Sequence, residues 1–266
     1  MGGRPCGTEY EIKANKFLKE NLEQFVDTNL YKISIDTFSY LNNKNQQIIG
    51  HNLYVLPKDK TKKIFLLTAH YDHIHPGSNF SKEILNYKKS KIHPGADDNA
   101  SGVVLNIELF RLLTNNPNID TLAPIPALVL FSGHEDGLFG SQYWVKRNID
   151  NIIFVFNFDM VGRMDTTTNL LTIRHYQNDT LLPLIFVDKQ SLNDKYGIEI
   201  KFREDSNLIY HSDAGAFVEK KIPAYTISTG IHEDYHKISD TADKLNYYGM
   251  YRVLICFLNE LKVFLN

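Results

Sequence analysis

The sequence predicts an α/β fold: one three-layer αβα domain over residues 1–266, with a mixed, mostly parallel sheet covered by helices on both faces. Three observations carry that expectation. Short, almost wholly apolar runs recur at residues 63–69, 126–132 and 152–158, as strands buried on both faces require. Segments with helical spacing of apolar residues fall between them. No internal repeat or linker-like run breaks the alternation, and 266 residues suffice for a sizeable core.

The elements follow in order. Residues 9–26 space Ile12, Phe17, Leu18, Leu22, Phe25 and Val26 near one helical face. Tyr31, Ile33, Ile35 and Thr37 alternate with polar residues, which is strand spacing. Residues 46–56 and 63–69 read as two further strands joined by the charged turn Lys58 to Lys62. A long polar loop runs from His73 to Pro94. The spacing then predicts a helix over 101–113, a strand at 126–132, a short helix at 140–148 and a strand at 152–158. Beyond these come a strand at 169–174, a helix near 180–192, a strand at 197–202, a helix at 213–220, a strand at 223–228 and a closing helix over 245–265.

Composition removes several classes of function. With 29 Lys and Arg against 31 Asp and Glu, the net charge is −2, so no basic field gathers nucleic acid. No apolar run approaches the length of a membrane span. The first residues carry no apolar signal-peptide core. Two cysteines, Cys6 and Cys256, make neither a disulfide framework nor a thiolate zinc site.

Polar residues gather where an open α/β sheet binds ligands, beyond the carboxyl ends of its strands. His70-Tyr71-Asp72 ends the strand at 63–69. Gly95-Ala96-Asp97-Asp98-Asn99 opens the helix at 101. His134-Glu135-Asp136-Gly137 ends the strand at 126–132, and Asp159 ends the strand at 152–158. Asp234-Tyr235-His236 follows the strand at 223–228. Singly, each reads as a cap or a solvated loop. Together, histidine and carboxylate without cysteine form the ligand set of a divalent metal such as zinc.

The motifs Thr-Ala-His70-Tyr-Asp72-His, Pro94-Gly-Ala-Asp97-Asp98-Asn-Ala-Ser-Gly102, Glu135-Asp-Gly-Leu-Phe-Gly-Ser141, Asn157-Phe-Asp159-Met-Val-Gly162 and His232-Glu-Asp-Tyr-His236-Lys-Ile-Ser-Asp240 resemble the co-catalytic di-zinc aminopeptidase family. That family includes bacterial leucine aminopeptidase, with glutaminyl cyclases and the transferrin receptor ectodomain as divergent relatives. The opening Arg4-Pro-Cys-Gly7-Thr8 resembles the family's as well. The likeness extends from about residue 4 to residue 250.

The resemblance implies two zinc ions, with Asp97 bridging both, His70 and Asp159 completing one, and Glu135 and His236 the other. It implies a cis peptide after the bridging residue, at Asp97–Asp98. Asp72 is expected to accept the second ring N–H of His70, and Asp240 to do the same near His236. The implied reaction is attack of a zinc-bridged hydroxide on the first peptide bond of a peptide substrate with a free N-terminus. Relatives are commonly exported in bacteria, which implies a periplasmic or secreted location.

Two positions depart from the family pattern. Relatives read Glu-Glu-x-Gly-Leu in the third cluster, the first Glu being the general base. Here the order is His134-Glu135-Asp136-Gly137-Leu138, so His134 takes the base position. A one-residue shift would instead make Glu135 the base and Asp136 the ligand. Relatives often read Ser-Asp-His before the last strand, where this chain has Ser212-Asp213-Ala214. Three readings stay open: an aminopeptidase using His134, a catalytically impaired metal- or peptide-binding relative, and a glutaminyl-cyclase-like acyltransferase. His73, His75 and His93 read as lining the rim of the site, and His211 and His232 as neighbours of it.

Overall fold

A computed structural model describes residues 3–76, 78, 80–82, 92–177, 179–187, 189–205 and 207–265. Its elements run α1 (Glu9–Leu22), β1 (Tyr31–Leu41), β2 (Gln47–Pro57), β3 (Ile64–His70), α2 (Gly102–Thr114), β4 (Ile125–Phe131), α3 (Phe139–Val145) and β5 (Ile152–Phe158). Then come β6 (Leu170–His175), α4 (Leu182–Ile185), α5 (Lys189–Tyr196), β7 (Glu199–Glu204), α6 (Ala214–Val218), β8 (Ala224–Ser228) and α7 (Tyr247–Leu265). Much of the polar loop expected between His73 and Pro94, namely residues 77, 79 and 83–91, lies outside the described residues.

The eight strands form one mixed sheet in the order β1-β2-β4-β3-β5-β8-β6-β7. The central four, β4, β3, β5 and β8, are mutually parallel. The β1–β2 hairpin joins them antiparallel through β4, and β6 joins β8 antiparallel. Every residue of β3 and β4 is buried, so both faces of the sheet centre are covered. Phe154, Phe156 and Phe158 of β5 alternate, and the last two pack on Phe257 of α7. Phe131 of β4 packs on Trp144 of α3 and Phe217 of α6, so Trp144 is a core residue. Cys6 and Cys256 are both buried and unbridged. No helix among the described residues is long and apolar enough to cross a membrane.

Two elements differ from their sequence pattern. In α1, Ile12 and Phe17 are exposed, and Glu11, Ala14, Asn15 and Leu22 face inward. The inward polar groups are satisfied there. Glu11 accepts the Tyr71 O–H at 2.7 Å and the His51 N–H at 3.0 Å, and Asn15 donates to the Tyr71 hydroxyl at 3.0 Å. The helix expected near 180–192 is instead two short ones. Phe186 leaves helical geometry at φ −112°, ψ 72°, where its ring packs on Phe156, Phe202 and Phe257.

Parallel pairing brings the carboxyl ends of β3, β4, β5 and β8 together on one side of the sheet. His70 stands opposite Phe131, and Phe158 opposite Ile227. The loops leaving those ends carry the histidines and carboxylates singled out above.

Candidate metal centre

His70 closes β3 with its side chain fully buried. Its Nδ1 lies 3.2 Å from the Asp72 carbonyl oxygen, the acceptor nearest to it, and 3.6 Å from the Asp72 carboxylate. A proton held on Nδ1 leaves Nε2 as a lone pair facing inward. The Asp72 carboxylate also accepts the backbone N–H groups of His134 and Glu135, each at 3.3 Å. Asp72 therefore ties the β3 end to the β4 end.

Asp98, not the expected Asp97, lies between the histidines. Its Oδ1 is 3.4 Å from His70 Nε2 and its Oδ2 is 3.1 Å from His236 Nε2. The cis peptide is Asp98–Asn99, one bond beyond the expected place. The reason is the turn Ala96–Ser101. Asp240 accepts both backbone N–H groups, from Asp97 at 3.0 Å and from Asp98 at 3.1 Å, rather than a histidine N–H. That clamp turns the Asp97 side chain away, where its Oδ1 accepts from Ser101 Oγ at 2.9 Å and Gly162 N–H at 2.6 Å. Asp97 Oδ2 is 3.1 Å from His232 Nε2. Asn99 then staples the turn to β5, donating to the Phe158 carbonyl at 2.9 Å.

Asp159 follows β5 and places Oδ1 3.6 Å from His70 Nε2. Glu135 places Oε2 3.4 Å from His236 Nε2 and Oε1 2.9 Å from His73 Nδ1. The Asp136 side chain points elsewhere: it accepts the Tyr40 hydroxyl and lies 3.9 Å from His75. The shifted frame, with Asp136 as the ligand, does not match this placement. His236 donates from Nδ1 to the Phe80 carbonyl at 3.0 Å, which turns Nε2 toward Asp98 and Glu135.

Without a metal, the imidazoles and carboxylates stabilise one another's charged forms. Burial alone would raise the Asp98 carboxyl, but His236 and His70 hold it well below the usual range. Glu135 is held down to about 2 by His236 and His73 against burial and the Asp98 charge. The same contacts overcome burial to raise His236 to about 10 and His70 well above its ordinary value. Yet His70 Nε2, His73 Nδ1, Asp98 Oδ2, Glu135 Oε1 and His236 Nε2 are buried without a hydrogen-bond partner among the described residues. Imidazole nitrogens and carboxylate oxygens that converge in this way fit a divalent metal, which would displace the imidazole protons.

His134 lies beside this cluster. Its ring is parallel to that of His70, at 8° and 3.7 Å between centroids, and its Nδ1 is 2.9 Å from Asp213 Oδ2. Nitrogens of both rings and an Asp159 oxygen lie within 4.8 Å of one another. Parallel rings at that spacing cannot both point in plane at one ion at bonding distances of about 2.0–2.1 Å. His134 therefore stands next to the candidate ligands rather than among them. Burial and the His70 charge push its pKa down, but Asp213 outweighs them, to about 9. The sequence pattern places Asp98 in the cluster without a ligand role, His73 at the rim and Asp213 only in a departing motif, whereas the structure sets all three against the centre. His211 is exposed. A cavity of about 700 Å³ lined by Lys32, Tyr54, Lys58 and Arg147 contains none of these groups.

The chain resembles a probable zinc metalloprotease of Pyrenophora tritici-repentis, 33% identical over 103 residues, which is 38% of this chain and 19% of that protein. It also resembles aminopeptidase YwaD of Bacillus subtilis, 30% identical over 129 residues, 47% of this chain and 23% of that one. The matched region thus spans about a fifth of the curated relatives' length. Among solved structures, a Porphyromonas gingivalis glutaminyl cyclase superposes with a TM-score of 0.78 at 18% identity, over 98% of this chain and 93% of that one. A leucine aminopeptidase precursor from Bacteroides thetaiotaomicron gives 0.77 at 18%, over 97% and 90%. Residues 52–259, most of the sequence, match one family, and the chain belongs to peptidase family M28.

Proposed function

We propose that this chain is a two-zinc aminopeptidase that removes N-terminal residues from peptides. The observation that carries this reading is the placement of His70 against Asp98 and Asp159, and of His236 against Asp98 and Glu135, beyond the strand ends, with His70 Nε2, Asp98 Oδ2 and His236 Nε2 buried without a hydrogen-bond partner among the described residues. His70, Asp98 and Asp159 would hold one ion, and Asp98, Glu135 and His236 the other. When bound, zinc would bring the pKa of a coordinated water toward neutrality and polarise a carbonyl.

The chain's own groups supply the rest. Asp240 and Asp72 fix the loops that carry Asp98 and Glu135. His134 faces Asp213 through Nδ1, and with its pKa raised to about 9 the ring is suited to give a proton to the leaving amine, its neutral fraction accepting one from the water. Asp213 offsets the positive charge His134 gains. The relatives named as aminopeptidases support a substrate with a free N-terminus.

Zinc-loaded protein is expected to release the first residue from unblocked short peptides and amino-acid anilides, and nothing from N-acetylated ones. Failure to do so with two zinc ions bound would overturn the reading. Cyclisation of N-terminal glutamine would instead point to an acyltransferase, and binding without turnover to an impaired relative.

A further inference from the structure

We propose that His73 is a fourth protein ligand of the Glu135 metal position, making it a closed site, while the His70 position stays open. The inference rests on the two-metal reading and goes beyond it in separating the roles of the two ions.

His73 follows Asp72 and is fully buried. Its Nδ1 lies 2.9 Å from Glu135 Oε1 and 3.9 Å from Asp98 Oδ2. His236 Nε2 lies 3.1 Å from that same Asp98 oxygen and 3.4 Å from Glu135 Oε2. A tetrahedral zinc site with bonds of about 2.0–2.1 Å has ligand-to-ligand edges of about 3.3–3.4 Å, and these four separations scatter around that value. Without a metal, His73 and Glu135 form an ion pair at 2.9 Å, and an ion bound by both would take the place of the proton between them.

The chain also makes room for this ring. Gly95 sits at φ +59°, and a Cβ there would fall 2.6 Å from His73 Cγ. The His73 backbone N–H donates to the Arg4 carbonyl at 3.3 Å, and Arg4 in turn donates to the Pro94 and Gly95 carbonyls. The loop is tied on both sides of the ring.

Ligand number and the exposure of one side chain separate the two positions. The side chains of His73, Asp98, Glu135 and His236 are 0–9% exposed, whereas the His70 position has three ligands and reaches solvent through one of them, Asp159 at 18% against 0% for His70 and 4% for Asp98. Closed four-ligand sites hold zinc structurally, and sites that react keep a position free. The two neutral imidazoles and two carboxylates also balance a divalent charge. The Glu135 ion is therefore the tight, permanent one, and the ion at His70 and Asp159 is the exchangeable one that meets substrate.

The test is stepwise loading of the metal-free protein with Co²⁺, followed by absorption and by competition with a chelator. Wild type should take its first equivalent tightly, with the intense visible band of a four-coordinate ion. His73→Ala, and His73→Gln as the bulkier variant, should lose that band and weaken the first equivalent by more than about 100-fold, the upper end for a group that only supports a ligand. His75→Ala, on the same loop, should match wild type. The inference is overturned if the His73 variants keep the wild-type spectrum, whether affinity is unchanged or falls only about 10–100-fold as for a supporting hydrogen bond. Wild type that binds fewer than two ions would instead overturn the two-metal reading itself.

Discussion

His134 Nδ1 lies 2.9 Å from Asp213 Oδ2, and the Asp213 side chain has no solvent exposure. A buried carboxylate beside one ring nitrogen fixes the tautomer and directs the other nitrogen. If that nitrogen carries the proton, His134→Ala should lower kcat by about 10²–10⁴-fold. Asp213→Asn should lower kcat by about 10²-fold or more through the wrong tautomer, with KM nearly unchanged. His134→Glu should also lose activity, because it sets a second carboxylate against Asp213, and Asp213→Asn in that background should recover part of it. Steady-state kinetics on the four proteins checks this. A large gain from His134→Glu alone would show instead that His134 marks a lost base.

Asp97 and Asp98 are adjacent but face different neighbours. Asp98→Ala removes the group between His70 and His236, so both equivalents of zinc should bind at least about 100-fold more weakly. Asp97→Asn keeps an oxygen for Ser101 and Gly162, so it should retain two zinc ions. Metal content after dialysis against a weak chelator separates the two. Loss of zinc from Asp97→Asn with retention by Asp98→Ala would reverse the assignment.

The strand ends and most of the cluster were legible because apolar runs stop at His70, at His134-Glu135 and at Asp159, a pattern local in sequence. The choice between Asp97 and Asp98 was not local. Both carry the same chemistry, and the group that decides which one turns inward, Asp240, lies more than 140 residues away. Asp213 reaches His134 across 79 residues, so only the sheet topology reveals the pair. In α1 the apolar spacing misled because the buried face is set by what it meets. Tyr71 and His51 offer hydrogen bonds, and Glu11 and Asn15 take them while Ile12 and Phe17 face water.

Arg4 joins the two loops that hold the centre. Its guanidinium donates to the carbonyls of Tyr71 at 2.5 Å, Pro94 at 2.7 Å and Gly95 at 2.8 Å. Hydrogen bonds to a charged group contribute about 1.5–3 kcal/mol each, and these three share one side chain's ordering cost. Arg4→Ala should therefore destabilise the fold by about 3 kcal/mol and weaken zinc binding with it. Urea denaturation should show a lower midpoint at unchanged slope. A midpoint equal to wild type would mean that the loops are held by other contacts.

Asp36 gives a pH dependence away from the metal centre. It lies on β1 opposite Asn52 of β2, with one carboxylate oxygen buried and without a hydrogen-bond partner among the described residues. Burial raises its pKa, and Asn52 and Arg147 only partly offset that. The sign follows from linkage. Because the folded value is above the unfolded value of about 3.9, the folded state holds the proton more tightly. Stability from this group is present below the unfolded value and is lost as pH rises through the folded value. Asp36→Asn cannot ionise and should escape that loss. Its Tm should exceed wild type at about pH 7, and the difference should shrink toward about pH 3. All other titrating groups are common to both proteins, so the difference isolates Asp36. A difference that grows on acidification would mean that the folded protein favours the carboxylate.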